Sequence, residues 1–340
     1  MSTSMNRRQF IQSTAAVVSA STILSSKTDA AEKLDYRNHR EDIMPYRKLG
    51  RTNFMSSRLI FGCGAALIGG RAVKLLDRAY EAGINYYDVG SNDYYKGAEQ
   101  HLAAFAKRHR GDIWITSKGY ARSGVDHIPG EDVSVEYAKG AATYWLNLVE
   151  NSLIDLKSEY IDSYFIQGTN EPSLLKTDEM NRAFEEVKTT GKIGHVGVST
   201  HQNAEAVLET AIGHEHIELV MLAVTPAGWY DWKKKVMLEG TPPLTQLKPQ
   251  IDKAREAGIG LIGMKCGRLI APKTNAGQGD NTAFDNFYSE DYRKLPITPH
   301  QKSYAFVLKH GMDAVNSDMQ NFKHFEENLH ASVNAERFFA

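Results

Sequence analysis

Cysteine is scarce in this chain. Its 340 residues include only Cys63 and Cys266, with no CxxC pair, which excludes a disulfide framework and leaves no thiolate set for zinc or an iron–sulfur cluster. An excess of one charge is missing too. Forty basic residues stand against 41 acidic ones, so the balance does not favour nucleic acid or an anionic membrane as a partner. No apolar run reaches the roughly 20 residues that a bilayer-spanning helix needs, and no stable membrane insertion is expected. A dinucleotide turn is also lacking, because the glycines of "FGCGAALIGG" (61–70) do not fall at GxGxxG spacing. "GHEHIE" (213–218) precedes a strand, at the end of the fold away from chemistry, and no metal site is expected.

The N-terminus reads as a targeting segment. "NRRQFIQ" (Asn6 to Gln12) sets paired arginines before Phe10 and Ile11, and the weakly apolar "STAAVVSASTIL" (Ser13 to Leu24) follows. Basic, then apolar, then small residues is the order of an export signal. The pair Arg7–Arg8 resembles a twin-arginine signal, although Asn6 stands where that signal usually has Ser or Thr. Residues 1–31 are therefore expected to direct the protein through twin-arginine export machinery to the periplasm. Residues 32–45 are charged and expected to form a linker.

From residue 46 to 340 two textures alternate. Apolar or β-branched runs appear at 58–64, 84–90, 112–118, 161–168, 195–200, 217–225, 260–266 and 313–317. Amphipathic stretches lie between them, such as "RAVKLLDRAYEAG" (71–83), with apolar residues three and four apart and a glycine stop. Eight strands, each followed by a helix, is the count of an α/β (β/α)8 TIM barrel. A doubly wound open sheet is the rival, and it would want the glycine-rich turn that is absent. "YRKLGRTNFMSS" (46–57) reads as a hairpin closing the barrel bottom.

In such a barrel, strand C-termini point into the active-site mouth. Asp88 ends the second strand, Lys118 the third, Gln167 the fourth, and Ser199 and Thr200 the fifth. Tyr94 and Tyr95 follow Asp88 in the same loop. An unperturbed phenol, with a pKa of about 10, exchanges its proton poorly at neutral pH. An ammonium beside it stabilises the phenolate, and a carboxylate holds that ammonium charged. A plain Asp–Lys ion pair with surface tyrosines fits the same spacing.

From Tyr46 onward the chain resembles an aldo-keto reductase. The resemblance runs, in order, through "YRKLGRTNFMSSRLIFG", "AYEAGINYYDVGSNDYYKGAEQHL", "IWITSK", "SLIDLKSEYIDSYFIQ", "GKIGHVGVS", "GIGLIGMK" and "EENLHA". It implies a (β/α)8 barrel that moves hydride between a nicotinamide cofactor and a carbonyl or alcohol. It also implies a catalytic group of Asp, Tyr, Lys and His, whose first and third members fall on Asp88 and Lys118. The family's Tyr lies five residues past the Asp, which here is Asp93. Counting back from the motif's glutamate, Glu99, gives Tyr94, with Tyr95 as the alternative. The catalytic His is replaced by Gln167, whose amide can donate a hydrogen bond but cannot titrate.

For the cofactor, the resemblance puts Ser199 on the nicotinamide amide and Thr200 where Asn is common. Met264 falls where a residue packs on the nicotinamide, or is a core methionine. Lys265 and Cys266 open the loop over the pyrophosphate, and Glu327 and Asn328 match the adenine-side pair. Asp318 stands where many members place Lys, and His324 where they place Arg. A carboxylate repels a 2′-phosphate but accepts from ribose hydroxyls, so of NAD and NADP the reading leans to NAD.

Trp229, Tyr230 and Trp232 follow the sixth strand and either stack on a sugar or aromatic substrate or pack on the rim. The long stretch 267–297 on the same face either folds over the cofactor or stays loose. The expected activity is thus an exported oxidoreductase acting on a small-molecule carbonyl or sugar. The alternative is a non-catalytic exported barrel that binds nucleotide or ligand.

Overall fold

The computed structural model describes residue 36, residues 38–275 and residues 277–340. The expected export signal, 1–31, lies outside them. Eight parallel strands close on themselves: β3 (Leu59–Gly62), β4 (Tyr86–Asp88), β5 (Trp114–Gly119), β6 (Ile161–Ile166), β7 (Ile193–Thr200), β8 (Ile217–Thr225), β11 (Gly260–Met264) and β12 (Ala314–Ser317). The order runs β3-β4-β5-β6-β7-β8-β11-β12 and returns to β3. Barrel strands are covered on both faces, which is why they read as near-continuous apolar runs rather than alternating ones. All nine residues of β8 are buried. The helices between strands bury one stripe, as in Lys74–Glu81, where Leu75, Leu76 and Ala79 face the barrel.

A hairpin of β1 (Tyr46–Lys48) and β2 (Met55–Ser57) precedes the barrel, as its spacing suggested. Arg51 at its turn donates to four carbonyls: Ala257 at 3.3 Å, His214 at 3.0 Å, Glu215 at 2.8 Å and Ile217 at 2.6 Å. One guanidinium therefore ties the hairpin to two connections at the barrel bottom. The stretch expected as a linker is packed where it is described. Tyr36 donates to Asp162 at 2.7 Å and meets Phe54 edge-on, Asn38 bonds the carbonyls of Tyr80 and Ile84, and Met44 is fully buried.

A second hairpin was not expected. β8 folds back through β9 (Gly228–Asp231) and β10 (Val236–Met237), two antiparallel strands above the mouth. Their turn carries Lys235 at φ +61 instead of a Gly or Asn, so the usual hairpin signal is missing. The second half of 267–297 is also packed. Tyr292 stacks on Phe339 at 4.3 Å and donates to the Lys302 carbonyl at 2.7 Å. Gln278 reaches the Lys235 carbonyl at 2.7 Å, joining this segment to the hairpin.

Arg51→Met keeps the aliphatic stem and removes every donor. It should cost about 1.5–3 kcal/mol of unfolding free energy, the range for bonds involving a charged group. Urea denaturation of the two proteins measures this, and an unchanged midpoint would dismiss Arg51 as the clasp of the barrel bottom.

Candidate active site

Asp88 ends β4, and Lys118 lies next to the end of the neighbouring β5, beyond Thr116, the register partner of Asp88. The Lys118 Nζ lies 2.6 Å from Asp88 Oδ1 and 2.5 Å from Oδ2, and both residues are buried. Asn316 on β12 donates to Asp88 Oδ2 at 2.5 Å. Burial pushes the Asp88 carboxyl up, and the Lys118 ammonium and the Asn316 amide pull it back.

The two tyrosines part company. After β4, the Val89 amide bonds to the Thr116 carbonyl at 2.8 Å and the Ser91 amide to that of Lys118 at 2.8 Å, so the loop leaves alongside β5. One helical turn follows, Asn92–Tyr95. Asp93, at the position where the resemblance puts the tyrosine, accepts from the Ser91 hydroxyl and from Tyr144 at 3.4 Å. The turn then points Tyr95 inward and Tyr94 outward. A Cβ added to Gly64 or Gly90 would come within 2.6 Å of the Tyr95 ring, so these two glycines form its slot. The Lys118 Nζ lies 5.8 Å from the centre of that ring. Tyr94 is 47 % exposed and meets Tyr95 edge-on at 4.7 Å. Burial first, then the negative charges of Asp318 and Asp88, push the Tyr95 phenol well above its usual range.

Gln167 is buried past the end of β6, its amide N–H on the Gly119 carbonyl at 2.8 Å. Among the described residues its side-chain carbonyl has no partner, and neither does that of Asn316. Orphaned buried acceptors cost free energy unless a ligand or water supplies a donor. The Ser199 hydroxyl accepts from the Gly168 amide at 3.1 Å, and Thr200 donates to Asn170 at 3.3 Å. Met264 is buried at the end of β11. Lys265 follows with φ +65, and burial, then Arg268, bring its ammonium down to about 8. Cys266 is fully buried, its thiol pushed up to about 12, and its carbonyl accepts from Ser303 at 2.7 Å.

Asp318 follows β12, and its charge acts on Tyr95 and Lys265. Asn328 donates to the Ser317 hydroxyl at 2.8 Å. Glu327 accepts from Thr298, the cap of helix Pro299–Lys309, so its carboxylate already serves a structural bond. Trp229 and Tyr230 are almost fully buried and offer no stacking face; only Trp232 is partly exposed.

Two residues at the mouth escaped the sequence reading. Asn316 was legible in principle, since a polar side chain in "DAVNS" interrupts an otherwise apolar inward face. His201 follows β7. Its ring nitrogen Nδ1 lies 3.9 Å from where a Cβ on Gly168 would stand, and burial, then Lys265, push it down to about 3, which keeps the imidazole neutral.

Beneath the tyrosine loop, Glu99 is buried and accepts from Ser117 at 2.5 Å. Burial raises its carboxyl to about 7. A carboxyl raised on folding is favourable while protonated, and that advantage is lost as pH climbs from the unfolded value of 4.5 through about 7. Glu99→Gln should therefore gain stability relative to the parent between pH 5 and pH 8, by up to about 3 kcal/mol. Thermal unfolding at the two pH values reads the difference, and an equal gap at both would contradict a titrating Glu99.

The aldo/keto reductase family pattern matches residues 62–231, half of the chain. An uncharacterised oxidoreductase, YqkF of Bacillus subtilis strain 168, is 35% identical over 162 residues, which are 46% of this chain and 49% of the relative. The matched region thus spans about half the length of that curated relative. Among solved structures, aldo-keto reductase AKR11C1 of Bacillus halodurans in its holo form superposes with a TM-score of 0.59 at 22% identity, covering 85% of this chain and 90% of the other. The thermostable aldo-keto reductase Tm1743 with the inhibitor epalrestat gives a TM-score of 0.57 at 22% identity, covering 85% and 94%. Identities this low speak for the barrel fold alone.

Proposed function

The chain belongs to the aldo/keto reductase family, and from that premise we propose that it is an active nicotinamide-dependent oxidoreductase in which Tyr95 exchanges the proton. The carrying observation is the placement of the Tyr95 ring in its two-glycine slot, with the Lys118 Nζ 5.8 Å from the ring centre and Asp88 holding Lys118.

The chain's residues divide the work. Tyr95 gives its hydroxyl proton to a carbonyl oxygen, or takes one from an alcohol. Burial and the carboxylates oppose ionisation of Tyr95, and the Lys118 ammonium, 5.8 Å from the ring centre, is the cation that would stabilise the phenolate left behind. Asp88 holds the Lys118 Nζ in place through both carboxylate oxygens. Gln167 donates an amide hydrogen bond to the substrate oxygen. It polarises and orients without moving a proton, so turnover of simple aldehydes is expected to be slow.

A nicotinamide nucleotide supplies the hydride when bound. The mouth suits such a group in two respects: it offers unpartnered buried acceptors at Gln167 and Asn316, and a cation at Lys265. Ser199 and Thr200 would hold the carboxamide end, Met264 the ring face, and Lys265 with the Cys266 backbone the diphosphate. Asn328 and Glu327 would lie on the adenine side. Asp318 favours NAD over NADP, by repelling a 2′-phosphate. Arg7 and Arg8 support export to the periplasm. The buried ion pair of Asp88 and Lys118 beside the Tyr95 ring supports catalysis over the non-catalytic alternative.

Cofactor absorbance during incubation with a panel of aldehydes, ketones and sugars tests this. Tyr95→Phe should lose 10²-fold or more of turnover, and Tyr94→Phe less than about threefold, with nucleotide affinity little changed in both. The reverse ranking would return the role to Tyr94.

A further inference from the structure

At the end of the barrel away from the mouth, the turn of the first hairpin is pressed against the chain just past helix Lys248–Glu256. A Cβ added to Gly50 would stand 2.2 Å from the Gly258 carbonyl, so the two segments leave no room for a side chain between them. Beside this contact lies an open hollow of about 450 Å³, within the size range of small-molecule sites. Arg47 and Lys48 reach it from β1, Arg51 from the turn and Arg255 from the helix. Asp313, just before β12, is the one carboxylate in its lining among the described residues. Four cations against one carboxylate leave an excess of three positive charges.

Asp313 is already shared. It lies 3.2 Å from Arg47 Nε and 3.1 Å from Arg255 Nη2, and its other oxygen accepts from the Leu261 amide at 2.8 Å. The bonds of Arg51 go to backbone carbonyls, which satisfy its N–H groups and leave its charge in place. Among the described residues neither Arg51 nor Lys48 has a carboxylate within ion-pair distance, and the two Nη groups of Arg47 meet no acceptor. Behind them Arg58 is buried, donating to the Leu308 carbonyl at 2.7 Å, and burial, then the charge of Arg47, bring its guanidinium down to about 10. Glu336 acts on Arg47 and Arg58 from a distance, but it is paired with Lys309 at 2.7 Å. Cations gathered this closely repel one another, and a bound anion would relieve the repulsion.

Lys48 is exposed, and Arg47 and Arg51 are partly so, which leaves them open to a ligand from solvent. Guanidinium forks match the paired oxygens of an oxyanion. An excess of more than two positive charges suits a dianion better than a monocarboxylate, and a phosphomonoester carries about −1.5 to −2 near neutral pH. The concave lining suits a small molecule better than an extended surface. We propose that Arg47, Lys48 and Arg51 at the barrel bottom form a binding site for a phosphate dianion, free or as the phosphomonoester of a small metabolite, separate from the mouth. Because the hollow borders both the hairpin and the helix that Arg51 ties together, the bound anion would also stabilise this end of the barrel.

Isothermal titration of the purified full chain with inorganic phosphate, glycerol 3-phosphate and acetate tests the assignment, at one ionic strength set with sodium chloride and with and without NADH. One phosphate per chain should bind at least tenfold tighter than acetate, a difference of about 1.4 kcal/mol, and equally well with NADH present. Lys48→Gln should weaken phosphate about threefold or more and Lys48→Glu tenfold or more, while Lys48→Arg should keep it. Lys265→Met, at the mouth, should leave it unchanged. Phosphate that binds no tighter than acetate, or that binds Lys48→Gln and Lys48→Glu as well as the parent, would overturn the proposal. Loss of binding on adding NADH, or in Lys265→Met, would give the anion to the cofactor's diphosphate site and overturn it too. So would binding to phosphatidylglycerol vesicles without binding of free phosphate or glycerol 3-phosphate, since the basic face would then be a membrane contact.

Discussion

The ion pair of Asp88 and Lys118, sunk into the barrel mouth with both oxygens on one ammonium, is the constraint around which the site is arranged. A buried pair repays its desolvation only when its geometry is good and its remaining oxygens are satisfied. Adjacent strand ends supply the geometry, and the Asn316 amide arrives from β12 to complete the carboxylate. The barrel is closed, and closure brings β12 to β3 and so within reach of β4. In an open sheet these two strand ends would have no reason to meet. The fold thus makes it possible to hold a paired lysine near the Tyr95 ring in a crowded interior.

Close approach fixes the phenol. Gly64 and Gly90 lie on either side of the Tyr95 ring at distances that leave no room for a side chain. The loop hydrogen bonds from Val89 and Ser91 to β5 determine which tyrosine enters that slot. Above this rigid floor lie the β9–β10 hairpin and the segment joined to it by Gln278. The hairpin carries Lys235 and the partly exposed Trp232. Barrel enzymes vary their specificity through such loops while keeping the strand ends constant.

How much of this was legible follows from the range of each interaction. The strands could be read because barrel strands are apolar on both faces. Asp88, Lys118 and Gln167 could be read because each ends such a run. The choice between Tyr94 and Tyr95 could not, because it depends on one helical turn whose direction is set by bonds to β5. Asn316 was missed because its partner is 228 residues away in sequence. The second hairpin was missed because a lysine occupies the turn position where glycine or asparagine would have announced it. Trp229 and Tyr230 were candidate stacking residues, but pairing with β8 and β10 buries them.

If Asp88 acts only by holding Lys118, and Lys118 only through the phenol, then the two form one functional unit. A double-mutant cycle in turnover measures this directly, with Asp88→Asn and Lys118→Met made singly and together. Residues that act as a unit are far from additive. Each single variant should lose roughly 10²- to 10⁴-fold, and the double variant should lose no more than the worse single one. Losses that multiply would mean that the two residues serve catalysis independently, and the ion pair would then be no more than a structural contact.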